Sequence, residues 1–409
     1  MRILILSQYY TPEPIPKPHE LAIGLTERGH QVTAITAFPN YPTGRFYPGT
    51  KVRPWSREVL DGVCVIRLPL FPDHSQSAVR RCLNYGSFAL SAMTIGVAIG
   101  GGADVLYVEH PPLTTGLPAA VFSRLRRIPY LFRVNDLWPE SVEATGMMRN
   151  RRALAWMGRL ERFAYRQAAA ISVVSPGVRR NLIGKGVPED KVHFIPHWAD
   201  ESLYTPQAPD EQLALEHGLS DRFNVMFAGY LGLAQALDVV LGAARLLGDL
   251  PAVQFVIIGD GVDATRLRDD AQAKGLKNVL FIGHQPAATM PRLFAHADAL
   301  LVHLRSHPLF RITIPSKTMA YMACGRPILM AVEGDAADLV TAAGAGIACS
   351  SEDPGSLADA VRRLFGMSPG ERAAMGASGR EWFVKHYSRA VLLDRYEALL
   401  QEIAGGRSG

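Results

Sequence analysis

The sequence predicts an α/β chain with two doubly wound parallel-sheet domains, and three observations lead there. Short apolar, β-rich runs alternate with helical segments, and the whole alternation occurs twice. A stretch carrying Pro196, Pro206 and Pro209 separates the two series and reads as a linker. The 409 residues are enough for two domains of ordinary size.

In the first half the strand-like runs are Ile3–Leu6, Gln31–Thr36, Val63–Leu68, Val105–Val108, Tyr130–Val134 and Ala170–Val174. Helical segments lie between several of them, such as Pro18–Glu27 closed by Gly29. In the second half Asn224–Ala228, Gln254–Ile258, Val279–Ile282, Ala299–Val302, Pro327–Ala331 and Gly346–Ala348 repeat the scheme. The last segment, Ser388 to Ile403, places Val391, Leu392, Tyr396, Leu399, Leu400 and Ile403 at helical spacing. The expected domains are 1–200, joined by 386–409, and 201–385.

Composition narrows the class. With 48% hydrophobic and 20% charged residues the chain reads as a soluble globular protein. Cys64, Cys82, Cys324 and Cys349 form no C-x-x-C and read as reduced thiols of a cytoplasmic protein. Charge is divided unevenly: residues 1–199 carry 24 Lys+Arg against 14 Asp+Glu, and the remainder is acidic. A basic N-terminal half either meets an anionic partner or is a solvated face. Residues 86–100 are the most membrane-like stretch, preceded by Arg80 and Arg81, and fall short of the roughly 20 apolar residues a span needs. They form either a buried core helix or one that dips into a leaflet.

The stretch Ile314-Pro315-Ser316-Lys317-Thr318-Met319-Ala320-Tyr321-Met322-Ala323-Cys324-Gly325 is the most informative. It reads as a helix start with Pro315 near the first position, Ser316 as a cap, and Lys317 beside free backbone donors. Such a start suits an anion, phosphate first; alternatively it is an ordinary helix start with an exposed lysine. Two glycine turns, Gly229-Tyr230-Leu231-Gly232 and Gly259-Asp260-Gly261, each follow a predicted strand. Their glycines either admit phosphates or serve ordinary strand-to-helix turns. A six-residue G-x-G-x-x-G fingerprint is absent, which disfavours a nicotinamide enzyme. The pairs His193/His197 and His303/His307 have i, i+4 spacing, but strand-like runs and prolines argue against a helical metal site.

The Pro315-Ser316-Lys317 segment and the Gly229 turn resemble the donor region of family 4 glycosyltransferases, retaining enzymes of the GT-B fold. The match is to the subgroup that builds bacterial O-antigen and colanic-acid-type polysaccharides. The resemblance implies two Rossmann-like domains facing across a cleft, with the last helix returning to the first domain. It implies transfer of a sugar, N-acetylated amino or deoxy, from a UDP-sugar to a lipid-linked glycan, at the cytoplasmic face of the inner membrane. It implies no metal, no other cofactor and no nucleic-acid partner. Donor residues carried over are Gly232, Gln235, Asp260, Gly283, His284, Thr313, Ile314, Ser316 and Lys317, with help to Lys317 from Arg305 or Arg311. Gln235 is expected to open a helix after Gly232, and either donates to the diphosphate or is a surface polar residue. His284 either meets the base or is a plain loop histidine. On the acceptor side the resemblance picks Pro12, His19, Asn40, Tyr41, His110 and Asn135, from loops that follow strands. Asp136 joins Lys317 as a catalytic candidate, either orienting hydroxyls or capping the next helix. Relatives carry a histidine where Asn135 stands, and a glutamate pair where this chain has Ile312 and Ala320. Two rivals remain: a nucleotide-sugar 2-epimerase and a non-catalytic nucleotide-sugar binder.

Overall fold

The computed structural model describes residues 1–75, 77–144, 148 and 150–406. Two compact units emerge. The first comprises Met1–Val174, Val178–Ile195 and the chain from Leu393 onward; the second comprises Ser175–Gly177 and Pro196–Leu392.

The first unit holds β1 (Arg2–Leu6), β2 (Gln31–Ala37), β3 (Ser56–Leu60), β4 (Val63–Leu68), β5 (Val105–His110), β6 (Tyr130–Val134), β7 (Ala170–Val173) and β8 (Val192–Phe194). They form one sheet in the order β3-β4-β2-β1-β5-β6-β7-β8. Ile3, Leu4, Ile5 and Leu6 are all buried, as a parallel strand covered on both faces requires. Two strands depart from the expectation. β3 pairs antiparallel with β4 at the sheet edge, through a two-residue turn, Asp61-Gly62, in which both residues have positive φ. That is the turn whose twist suits a hairpin. β8, only three residues long, extends the other edge.

The second unit holds β9 (Phe223–Ala228), β10 (Val253–Ile258), β11 (Val279–Ile282), β12 (Ala299–His303), β13 (Ile328–Ala331) and β14 (Gly346–Ala348). Its sheet is parallel throughout, in the order β11-β10-β9-β12-β13-β14. Renumbered within the unit this is 3-2-1-4-5-6, the doubly wound order that leaves a crevice at the strand C-termini where the winding reverses. The reversal lies between β9 and β12 here, and between β1 and β5 in the first unit.

The C-terminal helix, Arg389–Gly405, contributes its later turns to the first unit. Tyr396 is fully buried with its ring 5.8 Å from that of Tyr107. Leu393 packs where a Cβ on Gly24 would stand, and Arg28 binds both Asp394 and Glu397. The apolar stretch after Arg81 belongs to a longer helix than expected: Ala78–Ile99 runs 22 residues, widening to π-type geometry at Ala92–Gly96. By length and composition it reaches the bilayer-spanning size that residues 86–100 alone lack.

Candidate active site

In the second unit the site candidates gather where the sheet reverses. Lys317 opens the helix Lys317–Ala323 and reaches toward the turn after β9. Its Nζ lies 3.7 Å from the centroid of the Phe227 ring, a cation–π contact. The same atom stands 3.0 Å from where a Cβ on Gly229 would be. Glycine is needed there twice over, since its φ of +137° also excludes ordinary side chains. Burial pulls the Lys317 ammonium down to about 7, and no neighbouring charge offsets the shift. The two arginines expected to assist are already paired, Arg305 with Glu352 at 3.9 Å and Arg311 with Glu333 at 3.2 Å. Of these three candidate cations Lys317 is the one with no ion pair among the described residues.

The two glycines of the second turn serve packing. A Cβ on Gly259 would stand 2.0 Å from the Gly229 carbonyl, and one on Gly261 would stand 2.3 Å from that of Leu231. The turns are stitched backbone to backbone, with Gly229 N–H donating to Ile258 and Leu231 N–H to Asp260. The side chain of Asp260 accepts from the Gly261 N–H at 2.8 Å.

Several donor candidates stand differently from the expectation. Ser316 is the residue before the helix but has helical φ/ψ and makes no side-chain cap. A capping residue normally takes extended φ/ψ so that its hydroxyl can reach back to the helix N–H groups. Gln235 does not open a helix. It closes the short 3-10 turn Leu233–Gln235, accepts the Gly232 N–H at 3.2 Å, and is followed by Ala236 in the left-handed region; the helix begins at Asp238. Its carbonyl is held by His303 Nδ1 at 2.6 Å, while His303 Nε2 accepts the Glu352 N–H. Both nitrogens of His303 are thus engaged, and burial holds it below the usual histidine range. Thr313 donates to the Phe310 carbonyl at 3.1 Å, Ile314 is buried, and Gly283 and His284 are exposed in the loop after β11.

In the first unit the candidates also follow strand C-termini, but several are held by the fold. His19 has both ring nitrogens engaged, with the Tyr10 hydroxyl and Asp61, each at 2.9 Å. Asn40 is tied to the Phe38 carbonyl and to Glu13. Asn135 donates to Glu109 and the His110 carbonyl and accepts from Arg133 Nε at 2.8 Å. Its amide is spent on its neighbours. Pro12 is exposed after a cis peptide bond, and Tyr41 is half-buried. His110 is fully buried against Phe132 and Trp138, with no partner on either ring nitrogen, and burial drives it down to about 3. Asp136 is half-buried, accepts from Ser141 at 2.9 Å, and is raised above the usual carboxylate range by burial.

Glu13, which is not among the sequence candidates, organises the loops of the first unit. Its carboxylate accepts the backbone N–H of Tyr10 at 3.0 Å, of Asn40 at 2.7 Å and of Tyr41 at 2.8 Å. It is buried, so it clamps the loop after β1 to the loop after β2. A glutamate between two prolines, Pro12 and Pro14, was the available signal.

Two doubly wound parallel-sheet units in one chain, the second with a buried lysine at its sheet reversal, are what a GT-B glycosyltransferase is built from. The comparisons agree along the chain. Residues 17–198 match the family described as "Glycosyl transferase 4-like domain" and residues 212–382 match "Glycosyl transferases group 1". The chain belongs to the family 4-like glycosyltransferases and is an enzyme of that class. It is 26% identical to WcaI of Escherichia coli, named for colanic acid biosynthesis, over 81% of this chain and 84% of that one. It is 28% identical to a GDP-mannose-dependent alpha-mannosyltransferase of Mycolicibacterium smegmatis, over 92% and 91%. Among solved structures it is similar to HepE of Anabaena in complex with UDP-glucose, with a TM-score of 0.73 at 15% identity, covering 98% and 100%.

Glu13→Ala is expected to leave three buried N–H groups without an acceptor. At about 1 kcal/mol or more each, the loss is roughly 3 kcal/mol of first-unit stability. Denaturant unfolding of the variant, followed by fluorescence, measures it; a change below about 0.5 kcal/mol would show that the clamp is dispensable.

Proposed function

We propose that this glycosyltransferase moves a sugar, N-acetylated amino or deoxy, from a UDP-sugar to a lipid-linked glycan, with retention, in cell-surface polysaccharide assembly. The observation that carries the reading is Lys317, an ammonium without a counter-charge, standing against a bare glycine at the sheet reversal. A diphosphate leaving group develops negative charge as the sugar departs, and a pre-placed cation in a water-poor site stabilises it. We propose that Lys317 supplies that charge without a metal ion. Asp136, across in the acceptor unit's sequence, is proposed to orient acceptor or sugar hydroxyls. The solved neighbour that holds UDP-glucose and the relative named for colanic acid support the donor class and the pathway. The GDP-mannose-dependent relative makes the nucleobase part of the test.

The same reading places the protein peripherally at the cytoplasmic face of the inner membrane. Helix Ala78–Ile99 packs on the first unit through Asn84, Phe88, Ala89 and Ala92, which are buried, and this supports a peripheral placement. Val79, Leu83 and Leu90 stand exposed at helical spacing on its outer face. The helix Arg151–Gln167 adds Trp156, 56% exposed, between Arg152 and Arg159. Apolar side chains with a basic surround suit an anionic leaflet.

Two outcomes are expected. Lys317→Ala lowers transfer by about 10²-fold at saturating donor, measured with panels of UDP- and GDP-sugars; turnover within a few-fold of normal removes Lys317 from the mechanism. The intact protein floats with anionic vesicles at low salt and is released at high salt, since each basic residue contributes about 1 kcal/mol. No flotation at low salt contradicts the membrane placement.

A further inference from the structure

Aromatic rings form a connected series across the C-terminal end of the first sheet, and the chemistry assigned above uses little of it. His74, after β4, stands 4.7 Å from Tyr41, after β2. Tyr41 stands 5.1 Å from Tyr9, after β1. Tyr9 is hydrogen-bonded through its side chain to Tyr85 of the Ala78–Ile99 helix. Tyr85 stands 6.0 Å from Trp138, after β6, which in turn stands 5.7 Å from His110, the last residue of β5. Four separate loops, one strand end and one helix thus contribute one ring each.

The inner end of the series is core: His110 is fully buried and seals against Phe132. The other five rings, His74, Tyr41, Tyr9, Tyr85 and Trp138, are only half-buried. Tyr9 follows β1, one of the two strands between which the winding of the sheet reverses, and Tyr41, His74 and Trp138 follow the strand ends to either side. Their positions are enforced. Glu13 fixes the Tyr41 backbone, the Tyr47 hydroxyl donates to the Tyr41 carbonyl at 2.8 Å, and Gly44 allows the loop to press on the backbone of His74. The charge of Arg81 is felt at both His74 and Tyr85.

We propose that these five rings form a shelf for the terminal sugar ring of the acceptor, with Tyr41 as its main stacking face and Arg81 beside the sugar's anionic linkage. This rests on the reading of the acceptor as a lipid-linked glycan. A sugar ring offers an apolar C–H face to an aromatic ring and hydroxyls to its edge, where the Tyr85 hydroxyl and the His74 ring supply polar partners. The shelf sets acceptor choice, while the donor is held by the second unit. Rigid rings on clamped loops lose little freedom on binding, which favours selectivity among sugars of similar size.

The test compares Tyr41→Ala with Tyr41→Phe in the full-length protein. The acceptor probe is a ten-carbon prenyl diphosphate bearing one N-acetylhexosamine. Tyr41→Ala is expected to raise the acceptor KM roughly tenfold and leave the donor KM and the slow hydrolysis of donor unchanged; Tyr41→Phe stays within about twofold. A second measurement follows quenching of Trp138 fluorescence by the free monosaccharide, taken as the difference between the protein and its Trp138→Phe variant. If the prenyl-linked probe is no substrate but the sugar quenches Trp138 and Tyr41→Ala abolishes the quenching, the shelf stands and the lipid-linked reading falls. If Tyr41→Ala leaves acceptor KM within twofold, or moves donor KM equally, or if no sugar perturbs Trp138, the shelf is overturned.

Discussion

A buried ammonium group that faces no carboxylate among the described residues is the constraint on which the second unit's sheet reversal depends. Lys317 sits over the Phe227 ring and against Gly229, and burial lowers its proton affinity with nothing nearby to restore it. Holding such a group in the native state is costly, because an enclosed charge loses hydration without gaining a partner. The surroundings explain how it is held. Gly229 leaves space for it, and the turn of Gly229 is fixed by the neighbouring Gly259 turn through contacts no side chain would permit. His303 and Glu352 then pin the next loop, joining Gln235 to the segment after β14.

The first unit is built on an opposite arrangement, in which buried carboxylates are held by several donors. Glu13 accepts three backbone N–H groups and so makes two loops into one rigid surface. Glu109 accepts from the Tyr107 hydroxyl and from Asn135, beside Arg133, and burial raises it above the usual carboxylate range. Tyr396 of the C-terminal helix closes the same cluster, with Arg133 5.7 Å from its ring centroid. The helix that ends the chain therefore buttresses the loops of the first unit, and shifting it would disturb the strand ends that carry Asn135 and Asp136.

Much of this was legible before the structure. Periodicity located twelve of the strands because buried parallel strands are continuous apolar runs, and these cannot be mistaken for exposed loops. β3 was missed because its residues, Ser56 to Leu60, are largely exposed and polar, although Asp61-Gly62 marked the hairpin. β8 was missed because three residues show no period. Lys317 was picked through the resemblance of its segment, since a lysine after a proline-led helix start is by itself as readily an exposed residue; its burial against Phe227 depends on the fold. The occupation of His19, Asn40 and Asn135 was hidden, because their partners lie up to 42 residues away in sequence and only folding brings them together. The glycine turns were placed correctly, but which glycines face a ligand and which face another backbone depends on the pairing of β9 with β10.

The most direct measurement is the titration of the Lys317 ammonium itself, by NMR on isotopically labelled lysine, assigned with Lys317→Arg, in the free protein and with uridine diphosphate. The fold predicts a midpoint near 7 in the free protein. Because the diphosphate favours the charged form, the midpoint must rise when it binds, with proton uptake above neutral pH. A free Lys317 that titrates in the ordinary lysine range, and does not respond to the nucleotide, would contradict the account.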